Sequence, residues 1–147
     1  MTKNHLSGQP LPEEYQSRFL REHFCVKMYH EPGLLSAELS FEAHHEGPPG
    51  HAHGGSIATV LDEAMGVLAF LSGHKVLAGK LAVRYRLPTP LHVPLRALCS
   101  VKQQRGRQIN VTSQLITPQG TSLAQAEGLY VDIKEQFDSL SDASARL

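Results

Sequence analysis

One long helical pattern, HGGSIATVLDEAMGVLAFLSG over residues 53–73, constrains this chain more than anything else in it. Placed at steps of about 100°, Thr59, Asp62, Glu63 and Gly66 fall on one stripe about a hundred degrees wide, and nearly all other positions are apolar. A helix apolar over most of its circumference is buried, so the rest of the chain must wrap it. At 147 residues and 41% hydrophobic, the chain has enough material for one such core.

Everything after the helix reads as strand. In KLAVRYRL, Leu81, Val83, Tyr85 and Leu87 face one way, with Lys80, Arg84 and Arg86 on the other. Pro88, Pro90 and Pro94 punctuate the connection to LRALCSVK, which turns at Gln104-Arg105-Gly106-Arg107 into QINVTSQLI. Pro118-Gln119-Gly120 leads into TSLAQAEGLYVDI. There Ala124, Ala126 and Gly128 share one face, which predicts the close approach of something large, with the buried helix as candidate. Before the helix, FCVKMYH and LLSAELSFE read as two strands joined at Glu31-Pro32-Gly33. Two early strands, one central helix and four later strands predict an α+β chain, with the helix on one face of a single antiparallel sheet. Residues 1–20 read as an N-terminal tail carrying a short helix after Pro12, 21–134 as the one domain, and 135–147 as a polar C-terminal tail.

Fourteen basic residues balance fourteen acidic ones. That balance argues against broad nucleic-acid or anionic-membrane binding, which needs a positive field. The first twenty residues hold no apolar signal-like run, and no apolar stretch approaches the ~20 residues of a membrane span. Cys25 and Cys99 form no C-x-x-C and sit in strand-like stretches, so two buried thiols in a reducing cytoplasm are expected.

The chemistry concentrates in GPPGHAHGGSIATVLDEAMG, Gly47 to Gly66. Gly54 and Gly55 open the helix, leaving its first N–H groups and its positive dipole end unobstructed. Such an end can hold a phosphate, a carboxylate or the oxyanion of acyl transfer. No G-x-G-x-x-G or G-x-x-x-x-G-K-[ST] supports a nucleotide loop, and no G-x-S-x-G supports a serine nucleophile. A carboxylate on a helix this apolar is costly unless partnered or used. Asp62 and Glu63 are therefore either a face toward solvent or a partner, or a desolvated base. Asp62 lies among Ala58, Met65 and Ala69, leaving room for a substrate, whereas Glu63 lies beside Thr59 and Phe70; helical position does not choose between them. His44, His45, His51 and His53 suggest zinc, but no Cys or second spaced pair completes a tetrahedral set. Ordinary hydrogen bonding in a loop, with no metal, is expected.

The block His53-Gly54-Gly55-x6-Asp62 resembles the hotdog-fold thioesterases, above all the phenylacetate-pathway type and the small acyl-CoA thioesterases. GPPG before it, VRYRLPTPL after it and the late AQAEGLYV resemble the same superfamily, over about Leu34 to Ile133. The resemblance implies five or six antiparallel strands wrapped around one long helix, and hydrolysis of an acyl-CoA thioester to free acid and coenzyme A. It implies no separate cofactor, since coenzyme A enters as part of the substrate, and a homodimer that pairs again as a dimer of dimers. Carried over by position, Asp62 is the catalytic acid, acting as general base or as nucleophile through a transient anhydride. Gly54 supplies the N–H that polarises the thioester carbonyl, and His53 shapes the substrate loop. Gly55, Thr59 and Glu63 fall on the substrate side, and Lys80, Arg84, Arg86, Arg105 and Arg107 are cations available to the phosphates of coenzyme A. Some relatives have a polar side chain near the start of the next strand, where this chain has Ala78-Gly79. Some have Asn six residues before the motif His, where this chain has Gly47.

Two other readings compete. A hotdog hydratase or dehydratase would use His51 and His53 with Glu63, though the longer glycine- and proline-rich signature of those enzymes is missing. A non-catalytic acyl-CoA-binding module would have kept the fold, with Ala78 and Gly47 as marks of lost hydrolysis. Helix geometry adds one expectation of its own. Gly54 and Asp62 are eight residues apart, about 12 Å along one axis. A thioester carbonyl and its attacking water lie a few ångströms apart, so the two groups must come from different chains across a two-fold interface.

Overall fold

A computed structural model describes residues 8–133. The strands are β1 (Gln9–Pro10), β2 (Val26–Glu31), β3 (Leu34–Leu39), β4 (Val76–Tyr85), β5 (Leu95–Arg105), β6 (Gln108–Ile116) and β7 (Ser122–Asp132). The helices are α1 (Arg18–His23) and α2 (Gly54–Leu71). All strand pairs are antiparallel, in one seven-stranded sheet ordered β1-β2-β3-β5-β6-β7-β4. Helix α2 packs across one face of it, as a hotdog fold requires.

The stripe on α2 holds. Ile57, Val60, Leu61, Ala64, Met65, Val67, Leu68 and Ala69 are buried, while Thr59, Asp62, Glu63 and Gly66 are only half-buried. Leu61, Met65 and Leu68 lose nearly all contact with water, each contributing about 1.5–3 kcal/mol. They meet alternate residues of the sheet, among them Leu35, Ala37, Ala97, Val111, Leu115 and Ala124. By length and composition alone α2 is apolar enough to cross a membrane, contrary to the reading of the sequence. In this fold those apolar sides face the sheet. Gly73, at φ +99°, ends the helix in a conformation L side chains rarely adopt.

Other departures have local causes. The six long strands match expectation, and β1 is an addition of two residues, pairing Gln9 with His30 and Pro10 with Tyr29. A proline on so short a strand is tolerated only at a sheet edge, which is where β1 lies. Strand β4 begins at Val76, before the alternating KLAVRYRL pattern; residues 77–79 are exposed and no apolar period marks them. Its register slips between Ala78 and Lys80. The helix expected after Pro12 is two pieces, a 3-10 turn at Glu13–Tyr15 and then α1. The break falls where Gln16 turns its side chain to donate to the Val26 carbonyl (2.7 Å) and Ser17 caps α1 through the Leu20 N–H. Leu20 is then buried in the core. Cys99 is buried in β5, with its thiol pushed up to about 12 by burial. Cys25 is instead exposed and lies outside any strand. The polar end read over 135–147 lies outside the described residues.

Candidate active site

His53 caps α2 and fills most of its N-terminal donor positions. Its Nδ1 accepts the Gly55 N–H (2.8 Å), and its carbonyl accepts those of Ser56 (3.0 Å) and Ile57 (3.2 Å). Of the first four N–H groups of the helix, that of Gly54 alone has no acceptor among the described residues. From the strand side, the Tyr85 hydroxyl donates to the Gly54 carbonyl (2.7 Å) and its ring lies beside the glycine. The result is one free donor at the positive end of a buried helix, on a peptide held from both sides.

The loop before the helix is held tightly enough to place that donor. The His53 N–H donates to the His45 carbonyl (2.7 Å). His45 is itself buried, stacked on Phe24 with ring centroids 4.4 Å apart. Its Nδ1 accepts the Glu42 N–H (2.9 Å) and its Nε2 lies 2.6 Å from the His23 carbonyl. Gly47 passes so close that a Cβ there would stand 2.7 Å from the His53 Cα. The loop therefore excludes any side chain at this position. Gly47→Asn should lower the thermal midpoint through an overpacking cost of about 1–3 kcal/mol. A midpoint equal to that of the wild type in a melting experiment would show that the loop yields instead.

Asp62 is half-buried, and its Oδ1 lies 2.8 Å from the Tyr130 hydroxyl, which is also 3.0 Å from the Asp62 carbonyl. Tyr130 reaches there because two glycines make room. Its ring packs at Gly66 of α2, and at Gly128 an added Cβ would run into the ring. What approaches Gly128 is thus Tyr130 of the same strand, not the helix expected from the sequence. Of the neighbours expected around Asp62, Met65 and Ala69 are fully buried in the core and Ala58 is half-buried. Burial and the neighbouring Asp62 push the Tyr130 phenol far above its ordinary value, so it stays a donor. Sequence reasoning missed Tyr130. The available signal was a pair of absent side chains, Gly66 and Gly128, facing one large ring.

Glu63 is committed elsewhere. Both its carboxylate oxygens accept from Ser17, one from the N–H (3.0 Å) and one from Oγ (2.6 Å), which ties α1 to α2. Thr59 donates to the Gly55 carbonyl of its own helix (2.8 Å). Ala78 and Gly79 lie exposed at the β4 irregularity, with Ala78 opposite Tyr130. The cations do not converge within one chain. Arg84 pairs in register with Gln125, which also accepts from Arg86 (3.0 Å), while the Arg107 Nε donates to the Asp132 carbonyl (3.0 Å). Gln125 and Asp132 are seven residues apart on β7, about 23 Å at the rise of an extended strand. Lys80 lies between them on β4, and Arg105 opposite Gln108.

The loop histidines are engaged in hydrogen bonds. His51 Nδ1 lies 2.9 Å from the Pro49 carbonyl, and the Nε2 atoms of His44 and His45 both face the His23 carbonyl. Among the described residues no three His, Cys, Asp or Glu are grouped to hold a metal.

A family model described as the thioesterase superfamily matches residues 49–124. The acyl-coenzyme A thioesterase THEM4 of Xenopus laevis is 32% identical over 89 residues, covering 60% of this chain and 40% of that protein. Among solved structures, the thioesterase superfamily protein RHA08564 is 32% identical with a TM-score of 0.69, covering 73% of this chain and 53% of the other. The E. coli PaaI protein from the phenylacetic acid degradation operon has a TM-score of 0.73 at 15% identity, with 80% of this chain and 85% of that one covered. At that identity the likeness is one of fold. The chain spans about 40% of the length of the THEM4 proteins it matches.

Proposed function

The chain belongs to the thioesterase superfamily, and on that footing we propose that it hydrolyses an acyl-CoA thioester to a free acid and coenzyme A. One observation carries the reading: the unengaged Gly54 N–H at the positive end of α2, in a chain whose second functional group, Asp62, is already held by Tyr130. The N–H stabilises the oxyanion as water adds to the thioester carbonyl. Asp62 takes the proton from that water, the C–S bond breaks, and the proton passes to the departing thiolate of coenzyme A. Attack by the carboxylate itself, with later hydrolysis of the anhydride, uses the same atoms.

Two chains are needed in this scheme. Strand β4 is a sheet edge, and its Leu77 (53% exposed), Leu81 (38%) and Tyr85 (51%) present apolar surface along its length, with Tyr85 beside the Gly54 end of the helix. A second copy pairing along β4 would cover that surface and bring Asp62 of one protomer toward Gly54 of the other. The name of THEM4 supports coenzyme A as the thiol carrier. Against a hydratase pairing, Glu63 is engaged with Ser17 and His53 with Gly55.

A panel of acyl-CoA thioesters, assayed by release of free thiol, tests the proposal. Release from at least one acyl class, above the rate without protein, is expected. Binding without release would favour the non-catalytic module, and hydration of an enoyl thioester without release would favour the hydratase.

A further inference from the structure

Within one chain, the only side chain in hydrogen-bonding reach of the Asp62 carboxylate, among the described residues, is Tyr130. The ring is buried, 2% exposed, and set between Gly66 and Gly128, so the hydroxyl has no room to swing away. Its one proton is shared between Asp62 Oδ1 (2.8 Å) and the Asp62 carbonyl (3.0 Å). That double contact fixes both the rotamer of Asp62 and its position along the helix. Oδ1 is thereby occupied and Oδ2 is the oxygen left for the reaction. The cross-strand partner of Tyr130 on β4 is Ala78, which offers no polar atom, so no other group on that strand pair duplicates the contact.

We infer that Tyr130 is the positioning residue of the reaction: it holds Asp62 in a single rotamer with Oδ2 directed to the substrate water. This inference rests on the proposed hydrolysis and adds a residue to it. Losing the donor should loosen the orientation of Asp62 and so lower kcat with KM kept. A residue that only filled space would keep kcat when its hydroxyl alone is removed.

The test uses the full chain and three variants, each assayed by thiol release from pH 4 to 9. Tyr130→Phe keeps the ring between the two glycines and removes only the hydroxyl. It should lower kcat about ten- to a hundredfold, the size expected for a hydrogen bond to a charged group. KM should stay near that of the wild type. Fluorination of the Tyr130 ring ortho to the hydroxyl retains both ring and hydroxyl while making the phenol a stronger donor, so kcat should be kept or raised with KM unchanged. That arm reads the same bond even if Tyr130→Phe unfolds. Asp62→Asn separates the two ideas. If it abolishes turnover while a folded Tyr130→Phe keeps wild-type kcat, or while fluorination lowers kcat, Tyr130 is not the positioning residue although the hydrolysis stands. If Asp62→Asn keeps wild-type turnover, the reading of Asp62 falls and this inference with it.

Discussion

Replacing Asp62 with Asn should remove turnover and leave acyl-CoA binding nearly intact. The amide has the shape of the carboxylate and still offers Tyr130 an oxygen at the place where Oδ1 stands 2.8 Å away. What it cannot do is accept a proton or attack a carbonyl. A general base contributes about 10²–10⁴ in rate, so kcat should fall by at least about a hundredfold, while calorimetric affinity for a slowly hydrolysed acyl-CoA changes by less than about threefold. Glu63→Gln is the matched control, one residue along the same stripe. Its carboxylate holds the Ser17 N–H and Oγ, so the amide should weaken the seat of α1, at about 1 kcal/mol in stability, and leave kcat near that of the wild type. Equal losses in the two variants, or a deeper one at Glu63, would move the assignment to a hydratase.

Mixing two inactive variants should restore activity to about a quarter of the wild type. Gly54→Pro deletes the free N–H at the first position of α2, where proline is well accommodated. A Cβ there meets only the Tyr85 ring at ordinary distances of 3.4–3.5 Å. Asp62→Asn deletes the base. Under two-fold symmetry a hybrid dimer holds one site with both lesions and one with neither. Random exchange makes about half the dimers hybrid, and half the sites in each are intact, which gives the quarter. The experiment requires a dimer, so light scattering at micromolar concentration should first return at least twice the mass of one chain. If both variants fold and exchange protomers yet no activity returns, both groups serve one subunit, and either Gly54 or Asp62 is wrongly assigned.

The central helix, the six long strands and the packing of that helix on one sheet face were legible in the sequence because they are written in local period, while the hotdog assignment came from the resemblance of the block from His53 to Asp62. A helix apolar at nearly every angle cannot face water, and strands that alternate must lay one side against it. The limits were equally physical. Strand β1 is two residues long, one of them proline, and the first half of β4 is exposed, so neither carries a pattern to read. Asp62 and Glu63 are neighbours on one stripe with the same charge, and no local rule separates them. What divides them is distant in the chain: Ser17, 46 residues before Glu63, occupies one carboxylate completely, and Tyr130, 68 residues after Asp62, touches a single oxygen of the other. Even the two departures from the resembled motif take their meaning from folding. Gly47 is pressed against the His53 backbone and Ala78 is paired with the tyrosine that reaches the carboxylate. Periodicity determines which face of an element is buried; which atoms then meet across that face depends on how strands and loops far apart in sequence are brought together, and that was decided only in the tertiary structure.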